Sequence, residues 1–296
     1  MSQRICVVAP AKINLHLGVG TCLSDGYHQV CSVLHTLSLH DSIVLQDAPA
    51  LSVGCAPDVG VQSEQNLAYQ AARVFADAAG RDPSFSIGIT KRIPHAAGLG
   101  GGSSDAAAVI TGLAHIWGID RLDQRCLDAA AGIGADVPFF LYGGAALMKG
   151  KGDAVDTLLP PLDAAIAIVW PGVPAPTARV YSAFDEDPAP SASSNNVVGA
   201  LYDGDAVRLG RALTNNLAEA SVRVAPVVGE ALAWLRKQPG VLGADVAGSG
   251  SAVFAVAENA EAADRIAKEA LAEEGWWACA TSTSARGVFV DGREGQ

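Results

Sequence analysis

The sequence has no C-x-x-C pair: its six cysteines, at positions 6, 22, 31, 55, 126 and 279, are scattered. That spacing argues against a zinc site or a disulfide framework and fits reduced thiols. Nor is there an apolar run approaching the roughly 18 residues of a membrane span. The opening run Ile5–Ala11 is broken by Pro10 and Lys12, too early for the core of a signal peptide. A cytoplasmic location is therefore expected. Basic residues are in the minority, 20 Lys and Arg against 31 Asp and Glu for a net charge of −11. A general nucleic-acid binder, which displaces counterions with a basic face, does not fit. The six histidines show no metal-ligand spacing, which leaves no case for a transition metal. What remains is a chain of 296 residues, 50% hydrophobic, able to bury a large core in two packed domains or one long α/β unit. No long exposed apolar helix or heptad run is visible, so a monomer is expected.

The most informative stretch is Lys91-Arg-Ile-Pro-His-Ala-Ala-Gly-Leu-Gly-Gly-Gly-Ser-Ser-Asp-Ala-Ala-Ala108. Before it, Phe85, Ile87 and Ile89 alternate with small or polar residues, the period of a half-buried strand, and Pro94 ends the ladder because it has no N–H. After it, Ile110, Leu113, Ala114 and Trp117 form one apolar helix face, which Ser103 or Ser104 could cap. Between the two, Gly98, Gly100, Gly101 and Gly102 let the backbone approach a ligand, and the start of the helix attracts negative charge. The loop is either a phosphate cradle or merely a tight strand-to-helix junction. If a cradle, it is not a Walker A loop, because no lysine stands between Gly102 and Ser103. Ser103 also replaces the third glycine of a dinucleotide fingerprint. His-Arg-Asp and Asp-Phe-Gly triplets are absent, which removes the protein kinases.

Residues 4 to about 55 read as β-rich, with Ser24-Asp25-Gly26 as a hairpin turn. A helix is predicted over Asn66–Ala79, ending at Gly80, and another over 122–131. Gly132-Ile-Gly-Ala-Asp136-Val-Pro138 interrupts that pattern. A second half begins near residue 159, where Pro160-Pro161 precedes a strand at Ala165–Trp170. The Pro-, Ser- and Asp-rich segment from Pro171 to about Asn196 reads mostly as loop. Helices follow at 206–218, 225–237 and 259–273, with strands at Val253–Val256 and Gly287–Val290. Mixed strands and helices in both halves suggest two α+β lobes, residues 1–158 and 159–296, with a cleft between them.

Pro10-Ala11-Lys12-Ile13-Asn14-Leu15, the Pro94–Ser104 loop and Ala247-Gly-Ser-Gly250, in that order, resemble the GHMP small-molecule kinases. Ser24-Asp-Gly-Tyr-His28, Gly134-Ala-Asp-Val-Pro138 and Pro171-Gly-Val173 are similar to the branch whose acceptor is a cytidine diphosphate-linked methylerythritol. Other members act on mevalonate- or homoserine-type substrates, and a nucleotide-binding protein that has lost its chemistry is the alternative from another class. The resemblance implies an N-terminal lobe like ribosomal protein S5, a ferredoxin-like C-terminal lobe and an active site between them.

It also implies roles. Pro94, His95, Ala96, Ala97, Gly98, Leu99, Gly100, Gly101, Gly102, Ser103 and Ser104 would wrap the ATP phosphates, with Lys91 near the nucleotide and Asn66 and Leu67 by the adenine. Asp136 would be the general base for the 2-hydroxyl of the acceptor, and Lys12 would orient that hydroxyl and stabilise its developing charge. Asn14 would contact the substrate near it. Tyr27 and Tyr181 would stack on the two faces of cytosine, and His28 would bond its edge. Mg²⁺ is expected with ATP; a serine of Ser103-Ser104 suits it chemically, but spacing assigns no acidic ligand. From the residues alone, Asp136 could equally cap a helix starting at Val137-Pro138. Lys12 could be a solvated lysine, though a lone charge is conspicuous in the apolar run Ile5–Leu17. Tyr27 and His28 could be ordinary turn residues, and Asn14 a satisfied strand asparagine. His95-Ala96-Ala97 is less glycine-rich than the resemblance leads one to expect, and Asn215-Asn216-Leu217 lacks an acid common there.

Overall fold

A computed structural model describes residues 4–24 and 26–291 of the chain. The first half runs β1 (Arg4–Cys22), β2 (His28–Asp47), β3 (Ser52–Ala56), α1 (Leu67–Ala79), β4 (Phe85–Thr90), α2 (Gly101–Trp117), α3 (Gln124–Ile133), α4 (Val137–Tyr142), β5 (Ala145–Lys149) and β6 (Ala154–Leu159). The second half begins with β7 (Ala165–Trp170), α5 (Thr177–Glu186), α6 (Asn195–Asp203), α7 (Ala206–Ala212), β8 (Thr214–Asn215) and α8 (Ala218–Val224). It continues with α9 (Val227–Arg236), β9 (Val241–Val246), β10 (Val253–Ala257), α10 (Ala260–Glu274), β11 (Trp277–Ser282) and β12 (Phe289–Asp291). This is a two-lobed α+β fold.

The first sheet has the order β12-β1-β2-β4-β3, with β5 on the far part of β2, β6 beyond it and β8 alongside β1. The second sheet is antiparallel, in the order β11-β7-β10-β9. The strands β1 and β2, at 19 and 20 residues, are far longer than the usual strand of about 5–6. The apolar residues of β1 enter three successive cores. Val7 and Ala9 pack under α1 and α2 in the first lobe, and Leu17 and Val19 join the second-lobe core with Val169 and Val253. Between them, Ala11, Ile13 and Leu15 meet Ile166, Ile168 and Phe254 in a cluster shared by both lobes.

Helix α2 is buried over Ser104–Ala114, on every side. An all-round apolar helix is stable only when enclosed, and here it lies against β1, α1, α3 and α4.

Several elements depart from the sequence-based expectations. Helix α5 lies within the segment read as mostly loop. Its polar composition hides Val180 and Phe184, buried at i and i+4. The helix expected at 206–218 is two short helices separated by β8. Asn215 accepts from the Leu217 N–H and donates to the Val246 and Gly248 carbonyls, the side-chain competition with backbone that disfavours asparagine inside helices. Neither Ser103 nor Ser104 caps α2, which starts at Gly101 with Gly100 as its N-cap. The strands β5, β6, β9 and β11 and the helix α6 were not predicted, while α4 begins at Val137-Pro138, where the residues alone allowed a helix start. The last strand is Phe289–Asp291 and pairs with β1 in the first sheet. In the β1–β2 turn, Leu23 N–H bonds Tyr27 O and Gly26 N–H bonds Leu23 O, while Asp25 lies outside the described residues.

Candidate active site

Lys12 and Asn14 face one cavity because the β1–β2 register slips beside them, from Pro10↔His40 to Lys12↔Thr36 and again between Asn14 and His16. Such bulges re-aim side chains. Both residues are buried, and Lys12 Nζ donates to Asn14 Oδ1 at 2.8 Å. Asn14 Nδ2 in turn donates to Ser32 Oγ at 2.9 Å, and that hydroxyl to the His16 carbonyl. A buried ammonium needs such fixed partners.

Asp136 stands at the N-cap position of α4, but its side chain makes no capping bond. Its Oδ2 lies 3.5 Å from Lys12 Nζ, with 35% of the side chain exposed. The capping explanation of this aspartate therefore fails for its carboxylate, which faces Lys12 and remains open to a ligand.

The glycine loop crosses above this pair. Gly100, at φ 73°, turns the chain into α2, and no side chain among the described residues caps that end. The first-turn N–H groups of α2 are thereby left for an anion. The loop is held from the other lobe and from β1: Ala252 N–H bonds Ala97 O, and Lys12 N–H bonds Leu99 O, each at 3.0 Å. The side chains of Ala97 and Leu99 point into the shared core. At Gly98, φ is 83° and a Cβ would run into the Ala247 carbonyl of the Ala247–Gly250 turn. Ala96 has a left-handed φ of 54°, a conformation that suits glycine, so the alanine-rich start of the loop keeps the glycine-like bend.

Lys12, Asn14, Gly98, Gly100, Ser103, Asp136, Tyr181, Gly248 and Ser249 all line a cavity of about 360 Å³. It shares Val30, Lys151, Thr177 and Tyr181 with a second cavity of about 480 Å³ that adds Tyr27, His28 and Asp185. In that second cavity the Tyr181 ring sits 5.1 Å from His28, whose Nε2 pairs with Asp185 Oδ1 at 2.7 Å. Tyr27 is 61% exposed, and Lys151 Nζ lies 4.4 Å from its ring centroid. Burial pushes the Tyr181 hydroxyl up to about 12, so it stays a neutral phenol. Asn66 caps α1 through the Ala68 N–H. It lines a smaller cavity of about 160 Å³ with Leu67, Lys91, His95, Gly102 and Asp105. Ser104 is buried inside α2, away from all three cavities, whereas Ser103 faces the Lys12 cavity.

Lys91 is less free than its position by the glycine loop suggests. Its ammonium contacts Asp41 Oδ2 at 2.5 Å and Asp105 Oδ2 at 2.8 Å, and all three side chains are buried. Burial pushes Asp105 up to about 7 against the pull of Lys91. Sequence reasoning missed both acids, although Asp105, the lone acid at the head of the small and apolar stretch Ala106–Ile110, is a signal of the same kind as Lys12. It also missed Asn215, which clamps the Ala247–Gly250 turn, and Thr177, whose hydroxyl lies 3.0 Å from that of Ser249. Asn216 has a structural use as well, bonding both backbone groups of Val19 and the Ala189 carbonyl.

A glycine loop held between two α+β lobes, with a lysine–aspartate pair beneath it, is an arrangement that suits phosphoryl transfer to a small hydroxyl acceptor. The GHMP kinases N terminal domain matches residues 66–144, and the GHMP kinases C terminal domain matches residues 197–275. A 4-diphosphocytidyl-2-C-methyl-D-erythritol kinase of Symbiobacterium thermophilum is 36% identical over 90% of this chain and 96% of its own length. A crystal structure of 4-(cytidine 5'-diphospho)-2C-methyl-D-erythritol kinase aligns with a TM-score of 0.80 at 34% identity, over 96% of this chain and 99% of that one. A homoserine kinase from Cytophaga hutchinsonii reaches a TM-score of 0.75 at 20% identity, a likeness of fold alone. The chain belongs to the 4-diphosphocytidyl-2-C-methyl-D-erythritol kinase family of GHMP kinases.

Proposed function

We propose that this protein transfers the γ-phosphoryl group of ATP to the 2-hydroxyl of 4-diphosphocytidyl-2-C-methyl-D-erythritol, giving the 2-phosphate and ADP in the non-mevalonate route to isoprenoid precursors. The observation that carries this reading is the Lys12–Asp136 pair, 3.5 Å apart, in the cavity that joins the glycine loop to the Tyr181 pocket. Phosphoryl transfer asks a protein mainly to position its partners and neutralise charge. The ATP phosphates lie on the first-turn amides of α2, with the adenine towards Asn66 and Leu67. Cytosine stacks against Tyr27 and Tyr181, and His28 reads its edge. Asp136 takes the proton of the acceptor hydroxyl as its oxygen bonds to the γ-phosphorus, while the bond from that phosphorus to the leaving ADP oxygen breaks. Lys12, held by Asn14, faces the charge developing between them.

Mg²⁺ fits these residues if the phosphates supply most of its ligands. Among the described residues no cluster of three His, Cys, Asp or Glu could hold a metal, and Mg²⁺ in such sites keeps waters and takes one or two protein oxygens. Among the oxygens lining this cavity, the Asp136 carboxylate and the Ser103 hydroxyl at the start of α2 would hold the ion, which would neutralise phosphate charge. The cysteines form no disulfide, which supports a reducing, cytoplasmic setting. No described helix is long and apolar enough to cross a membrane.

Asp136→Asn should bind ATP normally and lose transfer by roughly 10²–10⁴-fold, the usual contribution of a general base; unchanged turnover would remove Asp136 from that role. The wild-type protein should consume ATP with the cytidyl acceptor in preference to mevalonate or homoserine. No preference would sink the substrate assignment, and an unchanged rate in Tyr27→Ala would point to a GHMP kinase with no need of a cytosine sandwich.

A further inference from the structure

Asp41 is fully buried on β2, beside the register slip that aims Lys12. Its Oδ1 accepts the backbone N–H groups of Arg92 at 2.5 Å and Ile93 at 2.9 Å, and its Oδ2 accepts Lys91 Nζ at 2.5 Å. These three donors are consecutive residues just before Pro94, where the glycine loop begins. Lys91 then reaches across to Asp105 in α2, immediately beyond the end of the loop. Gly101 lies so close that a Cβ there would stand 3.2 Å from Lys91 Nζ. One carboxylate thus holds the segment leading into the loop and, through a single ammonium, the helix leading out of it.

The partners of Lys91 make this arrangement informative. Two buried aspartates share the one ammonium beside a site for phosphates, and Asp105 Oδ1 has no hydrogen-bond partner among the described residues. A lysine placed there to attract phosphate would be poorly served by two carboxylates that already occupy it. Holding the loop's two ends in register explains the same residues.

We propose that Asp41 is the positioning residue of the nucleotide site, and that Lys91 acts on ATP through this tie rather than as a direct phosphate ligand. The proposal rests on the reading that the glycine loop binds ATP. A double-mutant cycle with Asp41→Asn and Lys91→Met tests it, because residues on one path give non-additive effects while independent ones add. Each single variant should raise the KM for ATP roughly tenfold or more, as expected for lost charge-assisted bonds. The KM for the cytidyl acceptor should stay within about twofold in each. In the Asp41→Asn background, Lys91→Met should add less than about threefold. Multiplying effects would show that Lys91 contacts ATP by itself and overturn the proposal, as would equal rises in both KM values.

Amide hydrogen exchange supplies a second reading that needs no substrate. Exchange of residues 92–104 should quicken in Lys91→Met and, if it folds, in Asp41→Asn, while α9 and α10 keep wild-type protection. Unchanged exchange in the loop would overturn the proposal. Failure of the wild-type protein to use ATP would instead fall on the functional reading and leave the exchange test standing.

Discussion

His35 shows how one side chain can be fixed in a single protonation state by geometry. It is fully buried on β2; its Nδ1 lies 2.9 Å from the Thr36 carbonyl and its Nε2 accepts the Leu162 N–H at 3.2 Å. With Nδ1–H donating and Nε2 accepting, the ring is neutral, and a second proton would set N–H against N–H. Burial accordingly lowers the His35 pKa to about 4. The folded value lies below the unfolded one of about 6.5, so the stabilisation from the neutral ring is complete above pH 6.5 and is lost as pH falls towards 4. The fall from about 6.5 to about 4 corresponds to roughly 3 kcal/mol. Denaturant titrations from pH 7 to pH 4 should show the wild type losing about that much more stability than His35→Gln. Parallel curves would show that the ring carries no such linkage. Lys12 was legible in the sequence as a charge in an apolar run. His35 was not, because histidine in a β-rich stretch looks the same whether it faces water or a core.

At the scale of elements, the strand, loop and helix at 85–117 were readable because each has a strong local signal: alternation, glycine and a repeating apolar face. Helix α5 was not, since its proline and acidic surroundings outweigh two buried residues one turn apart. It nevertheless carries Tyr181 and, at its first residue, Thr177 into the site. The glycine loop also yields a paired prediction. Gly98→Ala should destabilise by about 3 kcal/mol, combining left-handed strain with a collision against the Ala247 carbonyl. Two residues away, Ala96→Gly should change stability by less than about 1 kcal/mol, because the strain it relieves and the unfolded-state freedom it adds nearly cancel. Thermal or urea midpoints of the two variants decide this, and equal midpoints would refute the contact between loop and turn. Asp41 and Asp105 escaped sequence reading because their meaning depends on Lys91, whose partners lie 50 and 14 residues away along the chain.

For the whole molecule, two α+β halves were apparent from the alternation of elements, but their entanglement was not. The strand β12 returns from the end of the second half to pair with β1, β8 lies beside β1, and Thr36 of β2 exchanges bonds with Ser284, donating its hydroxyl to the Ser284 carbonyl and accepting the Ser284 N–H. Tertiary pairing of this kind leaves no local trace, since a three-residue strand reads the same whichever sheet receives it. A fragment of residues 1–158 would lack β12 and leave Ala11, Ile13 and Leu15 without Ile166, Ile168 and Phe254. It should fail to give a cooperative unfolding transition by circular dichroism, and a sharp transition would show that the first half folds alone.

The long strand β1, threaded through all three cores, has a mechanical consequence. A hinge between the halves would have to bend a beam supported along most of its length, and the strand bearing Lys12 is that beam. Relative motion of the halves is therefore stiff, and adjustment to ligands falls to compliant parts: the exposed Tyr27 ring, the half-exposed Asp136 carboxylate and the segment around Thr177. The lysine is the fixed point against which those parts move.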